Sequence, residues 1–336
     1  MSQYVCARIT RMDDVDIALF EREWNNTLYY FILNADEQIY LRYGGRDSRG
    51  PMTYLDFTSL ELALAKGLEL HQRFLRGQLP KKPKPQPRFP REIPPLVERT
   101  FARGQCVECH LVGDYDLIHK EQTGTLNKVR DMFRWPDIRT LGIELDVPKG
   151  LVIKEVRDPA RAAGVLPGDR LAALENTEIW TFGDFQYYFD KVPREAKSLR
   201  LTVERQGQMH ELTLQLPALW WVSDIRYRQL SVDPRAEFES QPLTTEEKHR
   251  LSLNPQGFAA RVVRIGGFAE MLKVHELKVG DIIFAVDGAE TDDIASTPEL
   301  YIKLRKRAGD TVMVDVLRNG TRLRLPVHTQ RMYFRK

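Results

Sequence analysis

The sequence predicts an α+β multidomain chain, in which a small α/β piece and a proline-rich linker precede two copies of one β-rich barrel or sandwich unit. Three observations carry this. The stretch around Gly168-Asp169 recurs around Gly280-Asp281, seven prolines fall within residues 80–95, and 336 residues exceed what one ordinary core organises. The boundaries read as 1–79 for the first piece, 80–95 for the linker, 96–138 for a cysteine-bearing segment, 139–217 for the first copy, 218–244 for a connector and 245–332 for the second copy.

In the first piece, YVCARIT reads as a strand and TLYYFILNADEQIYLRYGG as a hairpin turning at Asn34-Ala35-Asp36. LDFTSLELALAKGLELHQRFL reads as a helix, because Leu60, Leu64, Leu68 and Leu75 recur at helical spacing and Leu62 and Phe74 widen the stripe. Strand, hairpin and closing helix form the C-terminal half of a thioredoxin-like fold, or equally a generic α/β fragment. Cys6, in the apolar first strand, reads as a buried structural thiol. The prolines of PKKPKPQPRFPREIPP deny it a hydrogen-bond ladder, so it reads as an extended spacer separating domains by up to about 50 Å.

Cys106-Val-Glu-Cys109-His110 is the chemical centre of the chain. Thiols at i and i+3 lie on one side of a helical turn and can add to the two vinyl groups of a haem, leaving the next histidine as the axial ligand of the iron. Cys106 and Cys109 are then the thioether anchors of a haem c and His110 its proximal ligand, with Met132 or His119 as candidates for the opposite face. Two other readings stay open: a redox dithiol or structural disulfide, and a metal site completed by His110 and His119.

Leu166-Pro-Gly-Asp-Arg-Leu-Ala-Ala-Leu matches Lys278-Val-Gly-Asp-Ile-Ile-Phe-Ala-Val around its Gly-Asp, and each run is followed by a turn, a helix and two strands. Those final strand pairs turn on Gln206-Gly207 and Asn319-Gly320. The helices are TFGDFQYYFDKV, with Phe182, Phe185 and Phe189 on one face as core or groove lining, and TPELYIKLRKR, with Thr297 as N-cap and Pro298 at the first position. The basic run Lys303 to Arg307 suits either an acidic ligand or the helix dipole.

GLVIKEVRDPARAAGVLPGDRLAAL and GFAARVVRIGGFAEMLKVHELKVGDIIFAVDG resemble the bacterial form of the PDZ family over nearly all of each copy, the second departing with His275-Glu276 where Ala-Gly is usual. The resemblance implies capture of protein or peptide C-termini or strands by addition to a sheet edge. The family's carboxylate loop maps onto Thr140, Leu141, Gly142 and Ile143 in the first copy, and onto Arg250, Leu251, Ser252 and Leu253 in the second, where the glycine is lost. Together with FILNADEQIYLRYGGRD and the CVECH motif, the whole chain resembles bacterial thioredoxin-like and PDZ domain-containing proteins, some of which are selenoproteins. That resemblance implies export to the periplasm and a redox partner protein. The redox pair of the family is missing here, and no proline stands near Thr27-Leu28 where thioredoxins place their cis-proline.

A formal charge of +3 with 29% charged residues of mixed sign points away from nucleic acid. No apolar run suffices to span a membrane, and MSQYVCARIT lacks the pattern of a signal peptide, which reads as a cytosolic or N-terminally truncated chain. With no Gly-x-Ser-x-Gly elbow, no catalytic residues are assigned and an enzyme is not expected.

Overall fold

The computed structural model describes residues 3–228 and 230–332, which form two compact units. The first unit comprises residues 1–119 and 133–228, and the second 120–132 and 229–336. The fold is mixed α/β with several antiparallel sheets. Among the described residues no helix is long and apolar enough to cross a membrane.

The first unit opens with an antiparallel hairpin, β1 (Tyr29–Leu33) and β2 (Ile39–Gly44), closed by α1 (Phe57–Leu75). Asp56 caps α1 by accepting from the amides of Thr58 and Ser59. The buried face of α1 is Ser59, Ala63, Gly67 and Leu70, whereas Leu62 and Leu75 of the anticipated stripe are exposed. Small residues win this face because the helix closes tightly on the hairpin: a Cβ on Gly67 would stand 2.6 Å from both Ile32 Cγ2 and Tyr4 Oη. YVCARIT forms no strand, Val5 is 99% exposed, and Cys6 is an exposed free thiol, not a buried one. Without that strand, a thioredoxin-like unit is not completed.

The proline-rich run does not separate domains. Its unladdered backbone lies along the same unit, with Lys82 N donating to Gln38 Oε1 (2.8 Å), Arg88 N to Asp16 Oδ1 (3.1 Å), and Ile17 N to Arg88 O (2.8 Å). Helices α2 (Pro94–Arg99) and α3 (Cys109–Gln122) follow, then α4 (Lys128–Asp131).

The first copy begins with a 3-10 turn at Ile138–Leu141 and β3 (Ile143–Leu145), paired with β4 (Ile153–Val156). A four-stranded sheet follows in the order β6 (Thr177–Glu178), β5 (Arg170–Leu174), β7 (Ser198–Arg205), β8 (Gln208–Gln215), with α5 (Phe182–Lys191) inserted before β7. Phe185 and Phe189 are wholly buried as core, and Trp220 packs on Phe189 at 4.9 Å. The anticipated connector therefore splits. Residues 218–228 belong to the first unit, where the buried Arg228 Nε pairs with Glu23 Oε2 at 2.6 Å.

In the second unit β9 (Phe238–Pro242) and α6 (Thr245–Arg250) precede β10 (Ala260–Ile265), β11 (Ile282–Val286), α7 (Pro298–Arg305), β12 (Thr311–Arg318) and β13 (Thr321–His328). Its sheet runs β13-β12-β11-β10-β9. The core joins Phe238, Phe258, Val262, Ile283, Ile302 and Val314 among others. The second copy thus begins at β9, before residue 245. Both final hairpins turn on two residues with positive φ, Gln206-Gly207 and Asn319-Gly320, whose backbone twist suits tightly joined strands.

Candidate functional site

The Gly-Asp motif organises both copies identically. Asp169 accepts from Leu166 N (2.9 Å) and takes two bonds from the Arg205 guanidinium, while Asp281 accepts from Lys278 N (2.8 Å) and takes two from Arg318. Burial pushes both carboxyls up, but the arginine and backbone donors outweigh it and hold them below the usual carboxylate range. Arg205 also donates to Gly164 O and Arg318 to Glu276 O, five residues before each aspartate.

Backbone bonds fix the correspondence of the strands before the motif. Gly168 N donates to Ile153 O and Ile153 N to Asp169 O; Gly280 N donates to Val262 O and Val262 N to Asp281 O, each at 2.8 Å. Four residues beyond Ile153, Arg157 N donates to Gly142 O (2.7 Å). Four beyond Val262, Gly266 N donates to Glu237 O (2.7 Å). Glu237, at φ +52°, therefore occupies the place of Gly142, at φ +75°, and β9 the place of β3.

This relocates the second loop. Leu251, Ser252 and Leu253 close α6: Leu253 N returns to Lys248 O, Ser252 sits at φ +53°, and Leu253 is buried with Leu243, Ala259 and Phe284. They do not flank the edge strand. The loop that does is Arg235-Ala236-Glu237-Phe238, hidden from sequence reading because the link to the next strand runs 146–152 in the first copy but 243–259 in the second. His275-Glu276 also shifts meaning. After the matching turns Val165 N to Ala160 O and Val274 N to Ala269 O, Lys273 at φ +49° stands where Gly164 does, and His275-Glu276 belongs to extra residues before Lys278.

In the first copy Thr140 Oγ1 donates to Asp137 O (2.7 Å), Gly142 N to Arg139 O (2.9 Å), and Leu141 and Ile143 are buried. Among the described residues β3 and β9 each have a single hydrogen-bonded neighbour, so each is a sheet edge. The basic run on α7 is paired inside its own unit: Lys303 with Asp233 (2.9 Å), Arg305 with Asp292 (2.7 Å), Lys306 with Asp287 (2.7 Å). Arg307, the last cation of the run, is exposed, so the run is closed to an acidic ligand only in part.

At the Cys-x-x-Cys-His motif, wholly buried Val107 anchors the segment while Cys106 is exposed and Cys109, half-buried, begins α3. Arg22 Nη2 lies 2.7 Å from Cys109 Sγ, and His110 Nε2 faces Glu108 at 3.5 Å. The inner face of α3 is filled: a Cβ on Gly113 would come within 2.8 Å of Trp24. Cys106 lies in irregular backbone before the helix, so the two thiols do not share the helical turn that their spacing predicts, although both are free and Cys106 and His110 reach solvent. His119 does not fit the far side of a haem. It follows His110 by nine residues on the same helix, about 13 Å along the axis and half a turn around, so the two imidazoles cannot share an iron, nor complete one small metal site. Met132, after α4, is buried in the second unit. Among the described residues no three His, Cys, Asp or Glu side chains gather to hold a metal ion.

No protein-family profile matches the chain. Two putative zinc metalloproteases of Xylella fastidiosa are similar to it: that of strain Temecula1 is 27% identical over 169 residues and that of strain 9a5c 28% over 170, each alignment covering 49% of this chain and 33% of the relative. The chain thus spans about a third of the length of the curated relatives it matches. Among solved structures, the HtrA-type protease AlgWS227A with decapeptide is 20% identical over 40% of each chain (TM-score 0.26). The PDZ domain of EpsC from Vibrio cholerae, residues 219–305, is 25% identical over 25% of this chain and 97% of that one (TM-score 0.18).

Proposed function

We propose that the chain is a peptide-binding scaffold of two PDZ-type copies, which recognises partner proteins by adding a strand to a sheet edge. The observation that carries this is the matching construction of β3 and β9, each an edge strand entered through a residue of positive φ and each in a copy that carries a helix before its last hairpin. In the second copy an acidic residue, Glu237, stands at the mouth of the edge where the first has glycine. A terminal carboxylate is disfavoured beside it, so β9 accepts internal strands.

Selection of decapeptides from a random pool, once with free and once with amidated C-termini, tests this. The selected peptides should slow amide exchange in 238–242, and amidation should change affinity less than about threefold. Failure to select any peptide, or protection confined to other segments, would overturn the reading.

The Cys106-x-x-Cys109-His110 spacing, with Cys106 exposed and Cys109 and His110 opening α3, favours a second role, attachment of haem c, with Cys106 and Cys109 carrying the thioethers and His110 ligating the iron. Bound haem supplies one-electron transfer, here to a docked redox partner, and its attachment would belong to the periplasm. Production with a cytochrome c maturation system should yield a Soret band that survives denaturation and is lost in Cys106→Ala/Cys109→Ala. A colourless product leaves the scaffold alone, with a thiol pair.

A further inference from the structure

In the first copy the edge and the helix are already spanned by the chain's own residues. The segment after β2, Gly45 to Tyr54, meets α5 on one side. Tyr54 stacks on Phe182 with ring centroids 3.4 Å apart, Gln186 Nε2 donates to Arg46 O (2.8 Å), and Gly45 lies so close that a Cβ there would stand 2.6 Å from the Phe182 ring. Just before it, Arg42 N donates to Asp184 Oδ1 (2.9 Å) and Thr181 Oγ1 donates to Arg42 O. On the other side the segment meets β3 and its entry turn: Arg49 pairs with Glu144 (2.5 Å), and Arg139 donates to Ser48 Oγ (3.1 Å) and stands 3.7 Å from Asp47. Asp47 is 4% exposed and is held by Arg49 and Tyr54, so the segment folds as a plug with its own internal ties. Phe182 and Gln186, one helical turn apart on α5, are both buried beneath it.

From this we infer that residues 45–54 are an autoinhibitory plug in the groove between β3 and α5, so that the first copy takes up a partner strand only when the plug is displaced. The inference rests on the peptide-binding reading above. A tethered plug acts at an effective concentration in the millimolar range, so a free peptide of ordinary affinity does not displace it. The latch on the β3 side rests on the partly exposed Arg49–Glu144 pair and the exposed Arg139–Ser48 bond, individually weak, so a partner that competes for Glu144 and Arg139 can open it.

The test compares the full chain with Gly45→Val/Arg49→Ala, in which a side chain is forced against Phe182 and the latch is cut, and with Arg49→Ala alone, which leaves the packed contact intact. The probe is a synthetic peptide of residues 43–55. Trypsin should cut after Arg46 at least about tenfold faster in the double variant, and to a smaller extent faster in Arg49→Ala (after Arg49 itself only where that arginine remains). The labelled peptide should bind the double variant at one equivalent and leave the unaltered chain unoccupied. Equal cleavage of all three proteins after Arg46, equal peptide binding by the unaltered chain, or a natively fluorescent double variant that is cut quickly yet binds no peptide would each overturn the plug. These readouts do not use the decapeptide pool, so failure of selection on β9 and failure of the plug are separate results.

Discussion

The two copies close the same strand contact with the glycine on opposite sides. In the first, Gly142 faces Arg157, and a Cβ on it would lie 2.2 Å from Arg157 O and 2.7 Å from Asp158 O. In the second the left-handed residue is Glu237, and its partner is Gly266, followed by Gly267; a Cβ on Gly266 would meet Glu237 Oε2 at 2.2 Å and Glu237 O at 3.1 Å. Only one member of the contact can carry a side chain. Moving the glycine across keeps the fold and exchanges a bare loop for one bearing a carboxylate. The copies also differ in cover, since the first is folded with a hairpin, a helix and a plug, and the second with residues 120–132.

The largest expected effect breaks this comparison at its centre. Gly142→Ala combines a positive φ with overlap on a backbone oxygen and should cost the first unit about 3 kcal/mol, whereas alanine at Glu237 should be close to neutral. All five tryptophans, Trp24, Trp135, Trp180, Trp220 and Trp221, lie in the first unit. Tryptophan fluorescence in a urea titration therefore reports that unit alone, and amide exchange reports the second.

Where the copies agree, their losses should agree. Asp169→Ala and Asp281→Ala each strand a guanidinium and a turn amide, and each should cost about 2 kcal/mol in its own unit. Both carboxyls titrate below their ordinary range, so their stabilisation is complete above about pH 4 and is lost as pH falls through the lowered folded value. An acid titration in which one unit keeps its dependence after substitution would show that the shared motif bears unequal loads. A smaller effect has the opposite sign: Glu237→Gly relieves a positive φ and should stabilise the second unit by about 0.5 kcal/mol.

Short-range chemistry was legible in the sequence. The repeated Gly-Asp, the Gln206-Gly207 and Asn319-Gly320 turns, and the cap at Thr297 each depend on residues within a few positions, and the helices and hairpins form there. The edge of the second copy was not legible, because α6 and its flanking turns intervene between β9 and β10 and the marking glycine has crossed to Gly266. The inner face of α1 was legible in part: Leu60 and Leu64 pack against its core, but the closest contact with the hairpin is taken by Ala63 and Gly67. The plug escaped for another reason: Gly45 to Tyr54 looks like a loop by composition, and its role comes from contacts with α5 and Glu144 more than ninety residues away.

The smallest expected effect concerns how each copy closes the C-terminal end of its helix. In the first, Arg194 donates to Asp190 O (3.2 Å) and Val192 O (3.1 Å) while paired with the Asp190 carboxylate at 2.8 Å. In the second the cation is Lys128, from residues 120–132, donating to Lys303 O (3.0 Å) and Lys306 O. Burial pulls the Lys128 pKa down to about 8, more than Asp233, Glu121 and Asp310 raise it. A base whose folded pKa lies below its unfolded value of 10.5 binds fewer protons folded than unfolded between those limits. This lysine therefore makes the second unit gain stability as pH rises from about 8 towards 10.5, and the gain is lost as pH falls back through 8. Lys128→Met should flatten that rise in amide-exchange stability measured at pH 7.5 and 9.5, and leave the tryptophan-reported unfolding of the first unit unchanged. A slope that persists in the variant would mean that the helix end is closed by its own backbone and that Lys128 only rests upon it.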